Sequence, residues 1–274
     1  MIISKDNQRI KHIRQLLGSK KTREADRLFV IEGRKPVEEA IREGLVEEVY
    51  VSEDYEGEVP DDAQVVGAKL FKDITDTVTP QGILAIVRMP EFDRESVYAG
   101  ADCKLICLED VRDPGNVGTV IRTAEAAGFD AVVLSEECAD IFQPKVVRST
   151  MGSILRVPCF RCGDRVGTGS VGAEQDRDSQ GTLEIKLRGF DIELTELKRR
   201  GFTLYAAHLE GAVDYTEPEY AGKTAILIGN EARGLTDRVT ECADVAVKIP
   251  MFGKVESLNA SVAAAVLMFN SNRK

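Results

Sequence analysis

The hydrophobic and polar positions of the first 88 residues switch between a helical period and short apolar runs. They predict a basic amphipathic helix near 9–18, a strand at 28–32 (LFVIE), a helix at 34–43, a strand at 46–51 (VEEVYV) and, after the turn signal TPQG, a strand at 83–87 (ILAIV). Helices alternating with strands describe a small layered α/β unit. Residues 89 to 103, MPEFDRESVYAGADC, lack apolar periodicity and contain Pro and Gly, so a linker is expected there. From Lys104 the pattern resumes on a larger scale. The runs LICL (105–108), AVVL (131–134), FTLYAA (202–207), AILIG (225–229) and VAVKI (245–249) alternate with helical segments near 117–127, 193–200 and 258–270. Near-continuous apolar strands separated by helices predict a parallel sheet covered on both faces. The Gly-rich, charged stretch at 163–189 is expected to be a surface excursion, because it cannot bury enough apolar area to offset its ordering.

Composition narrows the class. The 274 residues suffice for two domains, and 43% hydrophobic with 30% charged residues is an ordinary globular balance. No apolar run approaches the roughly 18 residues of a membrane span, and the N-terminal MIISKDNQRIKHIRQLL is unlike a leader. A cytoplasmic protein with no membrane partner is expected. Six cysteines without dense spacing read as reduced thiols. Cys159 and Cys162, in CFRC, have the spacing of half a zinc site, but no second such pair exists and the histidines are His12 and His208, so no metal is expected. The net charge of −10 is uneven: residues 1 to 35 carry ten Lys and Arg against four acids, a local +6. Such a basic end fits two readings, a footprint for a polyanion or a solvated helix face.

Three polar clusters each follow an apolar strand: EDVRDPGNVGTVIRTAEAAG (109–128), GNEARGL (229–235) and the stretch after VAVK. In open α/β sheets ligands sit beyond the carboxyl ends of strands, so the three are expected to converge on one pocket. Asn116 and Arg122 lie six residues apart, which is not one helix face, so Asn116 is expected in the loop if both reach one ligand. Arg122 alone also reads as a surface arginine with a snorkelling stem. Ser257 and Asn259 open a very apolar helix, either as simple caps or as part of a ligand mouth. GNEARG is not the GxGxxG dinucleotide fingerprint, and no such pattern follows the first strand of this unit.

The stretches N-V-G-T-V-I-R-T-A (116–124), I-G-N-E-A-R-G-L (228–235) and I-P-M-F-G-K-V-E-S-L-N-A-S-V-A (249–263) together resemble the SpoU family of RNA ribose 2′-O-methyltransferases, in the trefoil-knotted SPOUT superfamily. N-Q-R-I-K-H-I-R-Q-L (7–16), R-L-F-V-I-E-G (27–33) and T-P-Q-G-I-L-A-I-V (79–87) are similar to that family's N-terminal module, a ribosomal-protein-like α/β RNA binder. The resemblance implies a substrate-binding domain over 1–88 and a knotted catalytic domain over 104–274, dimeric through its last helix. It implies S-adenosyl-L-methionine as cofactor, held at Gly229, Ile249 and Leu258, with Leu209 as a weaker candidate. Arg122 would act on the ribose hydroxyl, with Asn116, Glu231, Ser257 and Asn259 orienting the reacting groups and no metal needed. Arg9, Lys11, Arg14, Lys20, Lys21, Arg23 and Arg27 would hold RNA phosphates.

A ribose 2′-hydroxyl is a poor nucleophile, and a sulfonium methyl is already activated. The protein must therefore place the two near attack and help the proton leave. The branch with both modules points to large-subunit ribosomal RNA before transfer RNA. A non-catalytic RNA-binding ribosome-assembly factor on the same fold is the competing reading from a different class.

Overall fold

The computed structural model describes residues 1–163, 188–209 and 213–273, so the expected excursion at 163–189 lies almost wholly outside the described residues. In chain order the elements are α1 (Gln8–Gly18), α2 (Lys20–Asp26), β1 (Leu28–Glu32), α3 (Arg34–Arg42), β2 (Val46–Ser52), β3 (Gln64–Val66), α4 (Ala68–Asp73), β4 (Ile83–Arg88), α5 (Arg94–Ala99), β5 (Lys104–Leu108) and α6 (Pro114–Ala126). There follow β6 (Ala131–Leu134), α7 (Pro144–Thr150), β7 (Cys159–Arg161), α8 (Gly189–Arg199), β8 (Thr203–Ala207), β9 (Val213–Asp214), β10 (Thr224–Ile228), α9 (Asp237–Cys242), β11 (Val245–Lys248) and α10 (Ala260–Asn270). The chain forms two compact units. One comprises 1–91 with 140–156, the other 92–139 with 157–274.

The first unit is built on a sheet ordered β1-β4-β2-β3. β4 runs antiparallel to both β1 and β2, and β3 pairs parallel to β2. Ile10, Ile13 and Leu16 of α1 recur at helical spacing and are buried in one core with Val30, Tyr50, Leu84 and Ile86 of the sheet. α7, far along the chain, completes this unit. Phe142, just before it, packs on Phe29 of β1 with ring centroids 4.8 Å apart.

Of the seven basic residues expected to hold phosphates, Arg9, Lys11, Lys20, Lys21 and Arg27 are exposed and Arg14 is half-buried. Arg23 is different and corrects the expectation. It is 4% exposed, its guanidinium meets Asp140 at 2.5 and 3.1 Å, and Nη1 donates to the Leu16 carbonyl at 2.5 Å. The side chain thus satisfies a carbonyl at the end of α1, where the helix itself supplies no donor. Counting charges cannot separate this arginine from its neighbours, because its partner lies 117 positions away. Arg23→Met leaves a carboxylate and a carbonyl unmatched and is expected to cost about 2 kcal/mol of stability. Urea unfolding checks this, with the exposed Lys21→Met expected within about 0.5 kcal/mol of the parent.

The second unit holds a sheet ordered β7-β6-β5-β10-β8-β11-β9, with every pairing parallel. Its central strands are buried on both sides, which is why they read as unbroken apolar runs. Leu105, Cys107, Leu204, Ala206, Ala225 and Leu227 face a core shared with α5, α8 and α9. α6 and α10 pack on each other, α6 also meeting β6 and α10 meeting β10. The stretch expected as a linker instead carries α5. Asp93 caps it by accepting from the backbone of Glu95 and Ser96, and its own Tyr98 is buried in the core of the second unit, so residues 92–103 belong to this unit. CFRC supplies the edge strand β7, and burial pushes the Cys159 thiol up to about 12. Among the described residues no group of three or more His, Cys, Asp and Glu could hold a metal, and no helix is long and apolar enough to cross a membrane.

Candidate active site

The carboxyl ends of β8, β10 and β11, three neighbouring strands, open onto a pocket of about 490 Å³. Its wall includes Ala207, His208 and Leu209 after β8, Ile228 to Leu235 after β10, and Ile249, Met251, Glu256, Ser257 and Leu258 after β11. The four residues expected at a cofactor, Gly229, Ile249, Leu258 and Leu209, therefore line one cavity, together with Glu231 and Ser257. Convergence follows from the sheet: parallel neighbours deliver their carboxyl ends to the same edge.

Two features shape the loop after β10. The backbones of Asn230 and Gly234 exchange hydrogen bonds of 3.0 and 2.8 Å, closing a tight turn that needs Gly234 at φ 70°. Gly229 then lies against the Gly234–Leu235 peptide, where a Cβ would overlap backbone atoms. The pocket wall here is bare main chain.

The first cluster reaches this site through amides. Asn116 donates from Nδ2 to Glu231 at 2.7 Å and accepts at Oδ1 from Asn259 Nδ2 at 2.9 Å. Asn259 also accepts at its own Oδ1 from the backbone of Ser261 and Val262, capping α10. Its capping and its place in the site are thus one arrangement, and the alternatives left open by the sequence coincide. Asn116 lies in the first turn of α6, not in the loop, because Asp113 caps its N–H and Pro114 occupies the first helical position.

Arg122 does not line the pocket of its own chain. It is exposed on α6 with Thr119 and Ala126, whereas Val117, Val120, Ile121 and Ala124 are buried. Helical phase decides this: a residue six positions after a helical Asn116 cannot share its face. On adjoining α10, Val262 (47%) and Phe269 (52%) are also exposed, with Ala265 and Val266 partly so, leaving an uncovered apolar stripe.

Sequence reasoning missed the support behind the loop. Glu109, buried at the end of β5, accepts from the backbone and hydroxyl of Thr236, both at 2.8 Å. Asp110, held at φ 53°, accepts at its carbonyl from Asn230 Nδ2 at 2.7 Å. Two adjacent residues thereby pin both ends of the cofactor-side loop. An acidic pair closing an apolar strand was the available signal. The Asp110 carboxylate accepts from Ser135 at 2.7 Å and Arg188 at 2.6 Å. Burial alone would raise its pKa, but the hydrogen bonds from Arg188 and Ser135 outweigh it and hold the group below the usual carboxylate range. A lowered folded value adds stability that is complete above the unfolded pKa of about 3.9 and is lost as pH falls through the folded value. Asp110→Asn should therefore narrow the gap between urea midpoints measured at pH 7 and pH 3.

A pocket walled by strand-end backbone, with a few convergent polar side chains, defines a cofactor-using α/β enzyme. The chain belongs to the SpoU rRNA Methylase family, whose pattern matches residues 104–168 and 173–269, while an MRM3-like substrate binding domain matches residues 7–85. It is 34% identical to the 23S rRNA (guanosine(2553)-2'-O)-methyltransferase RlmP of Bacillus subtilis (strain 168), over 98% of each chain. It is 26% identical to the mitochondrial rRNA methyltransferase 3 of Mus musculus, over 98% of this chain and 72% of that one. A solved AdoMet-bound rRNA methyltransferase from Sinorhizobium meliloti superposes with a TM-score of 0.78 at 27% identity, covering 98% of this chain and 96% of that one.

The residues present fit S-adenosylmethionine. Leu209, Ile249, Met251 and Leu258 offer apolar walls for a planar base, the bare backbone at Gly229 permits close approach, and the Glu231 and Glu256 carboxylates suit a cationic ligand.

Proposed function

We propose that this protein methylates the ribose 2′-hydroxyl of one nucleotide in large-subunit ribosomal RNA, using S-adenosylmethionine. The observation that carries the reading is that the clusters after β10 and β11 line one pocket and the cluster after β5 joins them through Asn116, which bridges the pocket-lining Glu231 and Asn259. When bound, the cofactor supplies an activated methyl group on a sulfonium. Main chain at Gly229, Ile249 and Leu258 holds it, and Glu231, Asn116, Ser257 and Asn259 orient the ribose beside it. Arg122 takes its place at the sugar oxygen, where a guanidinium stabilises negative charge as the proton leaves.

Arg122 lies outside its own chain's pocket, so a second chain must present it. The uncovered stripe of Val262, Val266 and Phe269 beside α6 supports a homodimer through this face. The order β5-β10-β8, in which a late strand is inserted between earlier ones, supports a trefoil knot in the second unit. The exposed bases of α1 and α2, without Arg23, would hold RNA phosphates; 1–88, joined by 140–156, would be the substrate domain, and 104–274 without that stretch, extended at its front by 92–103, the catalytic domain. End-to-end similarity to a 23S rRNA enzyme favours ribosomal over transfer RNA. Six unpaired thiols suit the cytoplasm.

The test is transfer of tritium from labelled S-adenosylmethionine to protein-free 23S rRNA, followed by mapping of the protected ribose. Incorporation at one site is expected. No incorporation into rRNA, with incorporation into transfer RNA, would overturn the substrate assignment.

A further inference from the structure

We propose that Phe252 is a stacking platform for a nucleobase of the RNA substrate at the mouth of the cofactor pocket. This rests on the reading of the site as an RNA methyltransferase, and it assigns a binding role to a residue outside the catalytic set. The loop between β11 and α10 lines the pocket on both of its limbs, with Ile249 and Met251 on one and Ser257 and Leu258 on the other. Its tip does not. Phe252 is 98% exposed, and a Cβ added at Gly253 would meet no heavy atom within 4 Å, so the tip stands clear of the rest of its unit.

An isolated exposed apolar residue needs no explanation. Two coincidences separate Phe252 from that case. It directly follows a pocket-lining residue, so whatever covers its ring is brought to the site of chemistry. Two exposed cations accompany it, Lys254 on the same tip and Arg233 in the pocket wall beside the Glu231 and Glu256 carboxylates, and neither cation has an ion pair or hydrogen bond among the described residues. Positive charge left unpaired at a pocket mouth is notable on a chain of net charge −10 that has acids to spare.

A flat ring beside free cations matches the two halves of a nucleotide. An unstacked base offers a π-face and its phosphate a negative charge, and single-stranded RNA is commonly held by aromatic stacking of this kind. A protein surface would match ring and cations together only through an acidic patch, an outcome that the oligomeric mass below scores. Stacking here positions the substrate strand, so it acts on RNA binding and not on cofactor binding.

The chain contains no tryptophan, so Phe252→Trp introduces a sole indole reporter at the tip. Protein-free 23S rRNA is expected to quench its fluorescence, whereas heparin, a polyanion without bases, is not. Phe252→Ala is expected to raise the rRNA concentration for half-maximal methyl transfer about tenfold, as loss of one base–aromatic stack does. Half-saturation by S-adenosylmethionine and the oligomeric mass should stay unchanged. Phe252→Tyr should preserve the parent value, and Phe252→Leu, apolar but not planar, should resemble Ala. A leucine variant as good as the parent, an indole indifferent to rRNA, or a change in mass with unchanged rRNA half-saturation would each overturn the proposal, the last by making Phe252 a contact between two copies. Absence of methyl transfer by the unsubstituted protein strikes only the methyltransferase reading, because the indole scores stacking independently.

Discussion

Arg122→Ala is expected to lower the rate of methyl transfer by about 10²–10³, the loss that follows removal of one preorganised group from a developing negative charge. Binding of S-adenosylmethionine should be unchanged, since Arg122 does not line the pocket. Isothermal titration and single-turnover transfer separate these two quantities. The exposed position of the side chain makes a second result decisive. Mixing Arg122→Ala chains with chains disabled at the pocket should restore activity, because one hybrid site then combines an intact pocket with an intact arginine from the other chain. A mixture as inactive as its components would show that each chain works alone.

The variant to mix with it is Gly229→Ala, the second change of large effect. A methyl group at this position overlaps the Gly234–Leu235 peptide, so the turn closed by Asn230 and Gly234 must move. Forced overpacking costs about 1–3 kcal/mol. With 1.4 kcal/mol equal to a factor of ten, affinity for S-adenosylmethionine should fall about 10- to 100-fold. Gly18→Ala, which has open space around its new Cβ, is the matched control. Equal affinity in the Gly229 variant would mean that the loop after β10 does not form the cofactor wall.

The strands of the second unit were legible because a sheet buried on both faces writes itself as apolar runs, and their carboxyl ends located the pocket. The α/β class and the convergence of the loops after β10 and β11 follow from that alone, whereas the choice of Gly229, Ile249 and Leu258 within them rests on the resemblance to the SpoU family. The position of Asn116 is misread as loop, although Asp113 and Pro114 contain the signal: a cap followed by proline at the first helical position puts Asn116 inside the helix. Arg23 was illegible for another reason. Its partner Asp140 is brought close only by tertiary structure, and no local pattern distinguishes a buried basic residue from the exposed ones beside it. The short helix α5 was hidden by its length, since two turns of chain give periodicity little room to show.

The contribution of residues 140–156 to the first unit limits how this protein can be taken apart. A fragment cut after residue 91 would lack Asp140, Phe142 and α7, and so would expose Phe29 and strand the Arg23 guanidinium. The first unit is therefore not a cassette that a single junction can graft onto another enzyme. An exchange of specificity between relatives would have to transplant two stretches of chain together, and circular rearrangements that separate them should fail at the folding step.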